Sequence, residues 1–500
     1  MGIVIRQSIK SSVVTYIGVI IGTINVLFLY NKFLSPQQLG LYTSLIGFPQ
    51  VFAAFSNLGT PHVGVRFFSR FSDPDRQHNG FLGYLLIAPL FGFVLFLLAY
   101  IGVKGIFQSV YMDNSPLLIQ YYWYLPFITF FLLYTSTLET YSKVHLRIVV
   151  PTILREIFLK SSNSLLAILF GFKFITFDQL LNGIVLIYFL NVCFLLIYIK
   201  ILGKLYLRFD FSFVKQPIFK EMCMYGLWTI LGGATATILP NIEKLMLPAY
   251  HGGLNSAAIF FIASSIGMVI AIPRNAIASI SEPLLAESWK NNNLEHIEEI
   301  YQKSALNLLI VGGFLFLGIW TNIDAVFQII PNAAVYSQGK FVVLMVGLYS
   351  VFDMATGLNS EILKNSPFYK YDFGFYLIRF IVLFIVNLIF IPLYSYNGAA
   401  LAMLVSVVVY NVVKFFFIKH KLNLQPFNIG TVKTLLLGIF TYIVTLFIPS
   451  LEGNLWINFV NIAIKSVCIA VLFGGGVLFL EISEDLNRTV KNLLKKVIGN

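Results

Sequence analysis

Apolar runs of about 20 residues recur along the chain from residue 9 to residue 480, and about 20 residues is the length a helix needs to cross a hydrocarbon core. In lipid every backbone N–H and C=O must be satisfied by the chain itself, so runs of this length fold as helices. A membrane barrel would instead show alternating segments of about 10 residues. The runs fall at 9–33, 40–67, 81–102, 117–138, 149–171, 180–202, 222–247, 254–280, 300–320, 341–358, 373–393, 398–418, 431–448 and 455–480. They predict an all-helical integral membrane protein of about fourteen spans. Composition agrees, since 58% of residues are hydrophobic and only 11% are charged, against about 25% charged in soluble domains.

The formal charge of +12 lies in short loops between the runs rather than in one basic domain, so topology accounts for it and nucleic acid is not an expected partner. With the N-terminus in the cytoplasm, all but seven of the 34 Lys and Arg fall at cytoplasmic ends, including those at 200–220 and 414–433. An even number of spans then puts both termini inside. The polar stretch 200–220 reads as the linker between two six-helix halves, and 281–303 as a loop carrying an amphipathic surface helix. Residues 483–500 set Leu486, Val490 and Leu493 opposite Arg488, Lys491 and Lys495, which predicts a helix lying on the inner leaflet. The expected divisions are an N-lobe at 1–210, a C-lobe at 211–425, two further spans at 426–482 and a tail at 483–500.

One stretch, 379–404 (RFIVLFIVNLIFIPLYSYNGAALAML), carries an arginine and an asparagine inside an apolar run and then turns at 392–398, where Pro, Ser, Asn and Gly predict a tight hairpin. A central arginine costs roughly 2.5–3.5 kcal/mol on insertion scales, so Arg379 needs a partner, a wet cavity or an interface it can snorkel to. Arg155 and Asn163 stand in the fifth run with the same spacing as Arg379 and Asn387 in the eleventh. The turn at 34–42 has a weaker partner at 250–258, which places Gly40 on Ala257. Together these describe a parallel repeat of two six-helix, pseudo-symmetric lobes.

No catalytic signature accompanies the spans. Gly339-Lys340 lacks both the earlier glycine and the following Ser or Thr of a phosphate-binding loop, and neither HExxH nor GxSxG occurs. The chain is expected not to be an enzyme, to hold no metal or organic cofactor, and to couple transport, if at all, to H+ or Na+. The informative residues are the intramembrane charges, because each must meet a partner or water. Arg155, Lys244, Arg274 and Arg379, with Asn163 and Asn387, are candidates for binding substrate, and Glu139 and Glu243 for coupling to an ion. Pro240 and Pro273 are expected to break the helices beside Glu243 and Arg274.

LSPQQLGLYTSLIGF after the first run and NLIFIPLYSYNGAALAMLVSVVVYN across the eleventh and twelfth resemble the Wzx-type polysaccharide flippases of the MOP superfamily. That resemblance implies two lobes around a central cavity, working by alternating access. It implies as substrate an oligosaccharide on a polyprenyl diphosphate, turned from the cytoplasmic to the outer leaflet of the bacterial inner membrane to make O-antigen, capsule or exopolysaccharide. Membrane lipids, a polysaccharide polymerase and glycosyltransferases are the implied partners. The cationic set would then meet the diphosphate, for which Arg is the better bidentate match. Two other readings share the architecture: a MATE-like cation or drug antiporter, disfavoured because the first run offers Asn25 and no carboxylate, and a lipid II flippase, disfavoured because that run has no arginine.

Overall fold

The computed structural model describes residues 2–73, 75–209, 211–451 and 454–498, and these contain helices and no strand. The chain divides into two compact units, Met1–Ala258 and Ile259–Asn500. Among the described residues ten helices are long and apolar enough to cross a membrane, or eleven when Pro217–Ile238 and Ile242–Ala249, bent by 75°, count as one span. The 54-residue helix Tyr369–Leu422 is two spans joined across a kink. With it, the more polar helix Tyr124–Val144 and the charged segment 149–171 complete the fourteen expected.

In the first unit α1 (Gly2–Ile24) passes through a π turn, Asn25–Leu29, into Tyr30–Phe33. The motif Ser35-Pro36-Gln37-Gln38 is a helix start: Ser35 and Gln38 form a reciprocal capping box and Pro36 sits in the first turn, opening α2 (Pro36–Ser56). A short turn leads to α3 (Thr60–Phe71). Then follow α4 (Phe81–Gly102), α5 (Tyr124–Val144), a π turn at Leu154–Phe158, α6 (Leu159–Gly171) and α7 (Phe177–Ile201). Helices α8 (Pro217–Ile238) and α9 (Ile242–Met246) are separated at Pro240, as expected of a proline without an N–H to give. The core of this unit is aromatic, with Phe67, Phe81 and Tyr141 fully buried. The two turns that the repeat pairs also touch: a Cβ on Gly40 would come within 2.9 Å of the Leu254 Cα, so only glycine fits there.

Helix α10 (Gly253–Met268) carries the chain into the second unit, where a 3₁₀ turn, Val269–Ala271, precedes α11 (Ile272–Lys290) and places Pro273 in its first turn. Helix α12 (Leu294–Trp320) begins almost at once, capped by the Asn293 side chain on the His296 N–H. The stretch 281–303 is therefore the ends of two long helices around a turn at Asn291–Asn293, not a loop with its own surface helix. Next come α13 (Lys340–Ala355), the short α14 (Asn359–Asn365) and α15 (Tyr369–Leu422). Helix α15 is a hairpin: Ser395 has φ 51° and ψ −131°, and Asp372 meets Lys414 while Tyr376 meets Tyr410 across its two arms. A Cβ on Gly398 would lie 3.0 Å from the Ile391 N, so the reversal needs glycine there. Helices α16 (Ile429–Leu446) and α17 (Leu455–Ile469), with a π turn at Ala470–Gly474, close the membrane part. The tail forms α18 (Glu484–Ile498), tied to α12 where the Ser483 hydroxyl donates to Asn307. Residues 499 and 500 of the expected tail lie outside the described residues.

Candidate functional site

Among the described residues each unit holds an ionic network, largely buried in the second and more open in the first. In the second unit Arg274, in the first turn of α11, reaches Asp353 of α13 and Glu361 of α14, each at 3.3 Å, with 16% of its side chain exposed. Helix α14 turns inward after Gly357, which takes φ +66° and packs so closely on Ala305 that a Cβ would sit 2.9 Å from the alanine's own. Asp353 also accepts from Asn411, whose carbonyl accepts from Asn359 and Thr356. Lys414 is fully buried. Its ammonium lies 2.6 Å from Asp372 and donates to Ser360 and Tyr410. Arg379 donates to the Tyr349 hydroxyl at 2.6 Å and lies over the rings of Tyr349 and Tyr410. Three cations and three carboxylates thus share one interior, and each ion is costly there unless paired.

In the first unit Arg155 sits in the π turn before α6, between Glu139 of α5 at 3.2 Å and Glu156 at 3.1 Å. Glu156 in turn holds Lys160 at 2.8 Å, and Lys160 also donates to the Gly18 carbonyl of α1. Asn25, at the other π turn, donates to the Lys160 carbonyl and accepts from the Ser164 hydroxyl. A π turn inserts one residue and re-aims the side chains around it, and such turns gather at functional sites. Here both lie on facing segments at the charged contact.

The structure brings Arg155 and Glu139 into contact, and Arg274 and Arg379 into one network. It does not make the two repeat arginines equivalent: the Arg155 side chain is 51% exposed, whereas Arg379 is half-buried and packs over Tyr349 and Tyr410. Asn163 is buried and donates to the Leu159 carbonyl. Asn387 is fully buried with neither polar atom of its amide bonded to protein. Lys244 donates to Asn241 beside the Pro240 break, and Glu243 is buried.

The sequence reading missed Asp353, Glu361, Asp372 and Lys414. Lys414 was counted among the cytoplasmic charges of 414–433, yet it has no exposed surface. Its signal was available: Asp353 in GLYSVFDMATGL and Lys414 in VVVYNVVKFFFI both interrupt apolar sequence. Chemically, an arginine held by two carboxylates has the fork geometry that a phosphate also fits.

The sequence matches no family model and no curated protein sequence. Among solved structures the chain is similar to the lipid II flippase MurJ in an inward closed conformation, with a TM-score of 0.74 at 12% identity over 95% of this chain and 99% of that one. It is also similar to an inward-facing multidrug resistance MATE family transporter of the MOP superfamily, with a TM-score of 0.63 at 15% identity over 83% of this chain and 98% of that one. A MATE structure in complex with MaD5 gives 0.54 at 14% identity over 84% and 96%. The chain is a multi-pass membrane protein with the fold of MOP-superfamily flippases and transporters.

Proposed function

We propose that this protein is a flippase, not an enzyme, that carries a polyprenyl-diphosphate-linked oligosaccharide from the cytoplasmic to the outer leaflet of a bacterial inner membrane for surface polysaccharide synthesis. The observation that carries this reading is Arg274, an intramembrane guanidinium held by two carboxylates at 3.3 Å. A diphosphate can replace those carboxylates one for one. In this reading Arg155, Lys244, Arg274 and Arg379 serve the anionic head with Asn163 and Asn387. Protonation or Na+ binding at the carboxylates, Glu139 and Glu243 included, releases the cations to the substrate. An apolar groove of about 480 Å³ beside α12, α13 and α16, lined by Leu309, Phe316, Leu344 and Leu348, suits a prenyl chain.

The test is a strain lacking the gene, complemented with Arg274→Ala or Arg379→Ala at normal protein level. Each variant is expected to accumulate lipid-linked oligosaccharide on the cytoplasmic side, with partial recovery in Arg274→Lys. Intact export in every variant would sink the proposal. A second reading, cation antiport, gains support from the buried acids Glu361 and Asp372 and the half-buried Asp353, which sequence analysis had not placed within a lobe. It predicts extrusion of ethidium that is lost in Asp353→Asn and Glu361→Gln.

A further inference from the structure

The first unit contains a cavity of about 270 Å³ among α2, α3, α5 and α8, apart from its ionic network. Its polar lining is Gln50, Asn57, His62, Ser136, Thr229 and Thr237, and among the described residues lining it there is no carboxylate, lysine or arginine. The local backbone builds it. Helix α2 ends at Asn57, whose side chain accepts from the Gly59 N–H, and Leu58 and Gly59 take φ 51° and 71°. That turn sets His62 at the start of α3. Helix α8 comes close because a Cβ on Gly226 would meet the Leu58 carbonyl at 2.8 Å, and Gly233 leaves room for the His62 Nε2, which a Cβ would meet at 2.8 Å.

The hydrogen-bond capacity facing this space is open in a specific way. Thr229 and Thr237 donate to the Gly226 and Gly233 carbonyls, so toward the cavity they offer acceptor lone pairs. Among the described residues Gln50, His62 and Ser136 have no side-chain hydrogen-bond partner, and each both donates and accepts. A cation would find no carboxylate and an anion no ammonium. A ligand rich in hydroxyls, each of them donor and acceptor, satisfies all five groups, while alanine, leucine and isoleucine methyls supply a face for C–H groups. The volume is that of about nine waters at ~30 Å³ each, below the usual span of drug-sized pockets.

We propose that this cavity is a subsite for one uncharged, hydroxyl-rich sugar ring of the transported head group. The assignment rests on the flippase reading and sharpens it: the ionic networks serve the charged linker, and this cavity selects a neutral ring.

Saturation-transfer NMR on the purified full chain in lipid nanodiscs tests it, with N-acetylglucosamine, galactose and rhamnose as neutral probes and glucuronate as an anionic one, while inorganic pyrophosphate, which has no carbon-bound hydrogen to observe, is followed by isothermal titration calorimetry. At least one neutral sugar is expected to receive saturation. Gly233→Leu and Gln50→Leu are expected to weaken that binding by about tenfold, and Arg274→Ala to leave it unchanged. Pyrophosphate should show the reverse pattern. Ser136→Ala, a milder change, is expected to weaken sugar binding in a chain that melts like wild type, which guards against misfolding of the larger variants. Absence of neutral-sugar binding, or binding unchanged in Gln50→Leu and Ser136→Ala, overturns the subsite even if pyrophosphate binds. Sugar binding that follows the cavity variants, with pyrophosphate failing to bind, upholds the subsite and removes the diphosphate reading instead.

Discussion

Lys414 and Asp372 show what a single buried charge demands of its neighbours. The ammonium has no exposed surface, and its carboxylate, hydroxyl and ring partners occupy the interior of one unit. Lys414→Met strands the aspartate and is expected to cost roughly 3–5 kcal/mol, while Lys414→Met with Asp372→Leu recovers most of that, because removing both ions leaves nothing unpaired. A double-mutant cycle on unfolding of the purified protein measures the difference. His145 gives a second prediction, in the connection between α5 and α6. Burial against Phe68 and Tyr141, with His78 and Lys204 nearby, pushes its imidazole down to about 4. The folded chain therefore holds the neutral ring, and the unfolded chain binds the proton more tightly. Stability from this residue is whole above about pH 6.5 and is lost as pH falls toward about 4. Melting temperature followed from pH 7 to pH 4 is expected to fall, and His145→Gln to flatten that slope. Individual charges such as Arg274 and Arg379 were legible in the sequence because hydrocarbon tolerates so few. Their partners were not, since Asp353 and Glu361 come from segments about 80 residues away that only the fold brings near.

At the scale of elements, α1 meets the π turn before α6 through Gly18 and Gly22, a small-xxx-small face that lets two helices approach closely. A Cβ at Gly18 would lie 2.6 Å from the Glu156 Cβ and 3.0 Å from its carbonyl, so Gly18→Ala must push backbone. It is expected to destabilise by about 1–3 kcal/mol. At Gly22 the nearest atom is the tip of Lys160 at 3.4 Å, a flexible end that can shift, and Gly22→Ala is expected to stay within about 0.5 kcal/mol. Thermal unfolding of the two variants in one detergent compares them. The Pro240 and Pro273 breaks and the hairpin at 392–398 could be read from residue type, because each rests on a local backbone property. The π turns could not, since no residue marks a one-residue insertion. The loop expected at 281–303 was misread because its polar residues cover the ends of helices α11 and α12.

For the whole molecule, an even count of fourteen spans would place both ends of the chain on one side, and we propose from the excess of Lys and Arg that this side is the cytoplasm. Reporter fusions after residue 482 and at the loop near residue 210 are expected to report cytoplasm, and a fusion near residue 175 the outer side. A fusion after 482 reading outside would remove the even count. Ten or eleven spans were legible from length and hydropathy alone, and the others from the hairpin turn and from the apolar remainder of the more polar segments 124–144 and 149–171. The neutral cavity beside α8 was not legible, since Gln50, His62 and Ser136 are ordinary residues until three helices converge on them.

The balance of three cations against three carboxylates in the second unit also bears on voltage. An elementary charge moved across 100 mV does about 2.3 kcal/mol of electrical work, whereas a set that sums to zero and moves as one body does none. While the six groups stay paired and move together, the membrane potential has no net handle on this interior. Voltage dependence then enters through what binds or separates the pairs: an anionic head group, or the proton or Na+ that takes its place at a carboxylate. Currents recorded with and without substrate on a reconstituted protein would separate those two contributions.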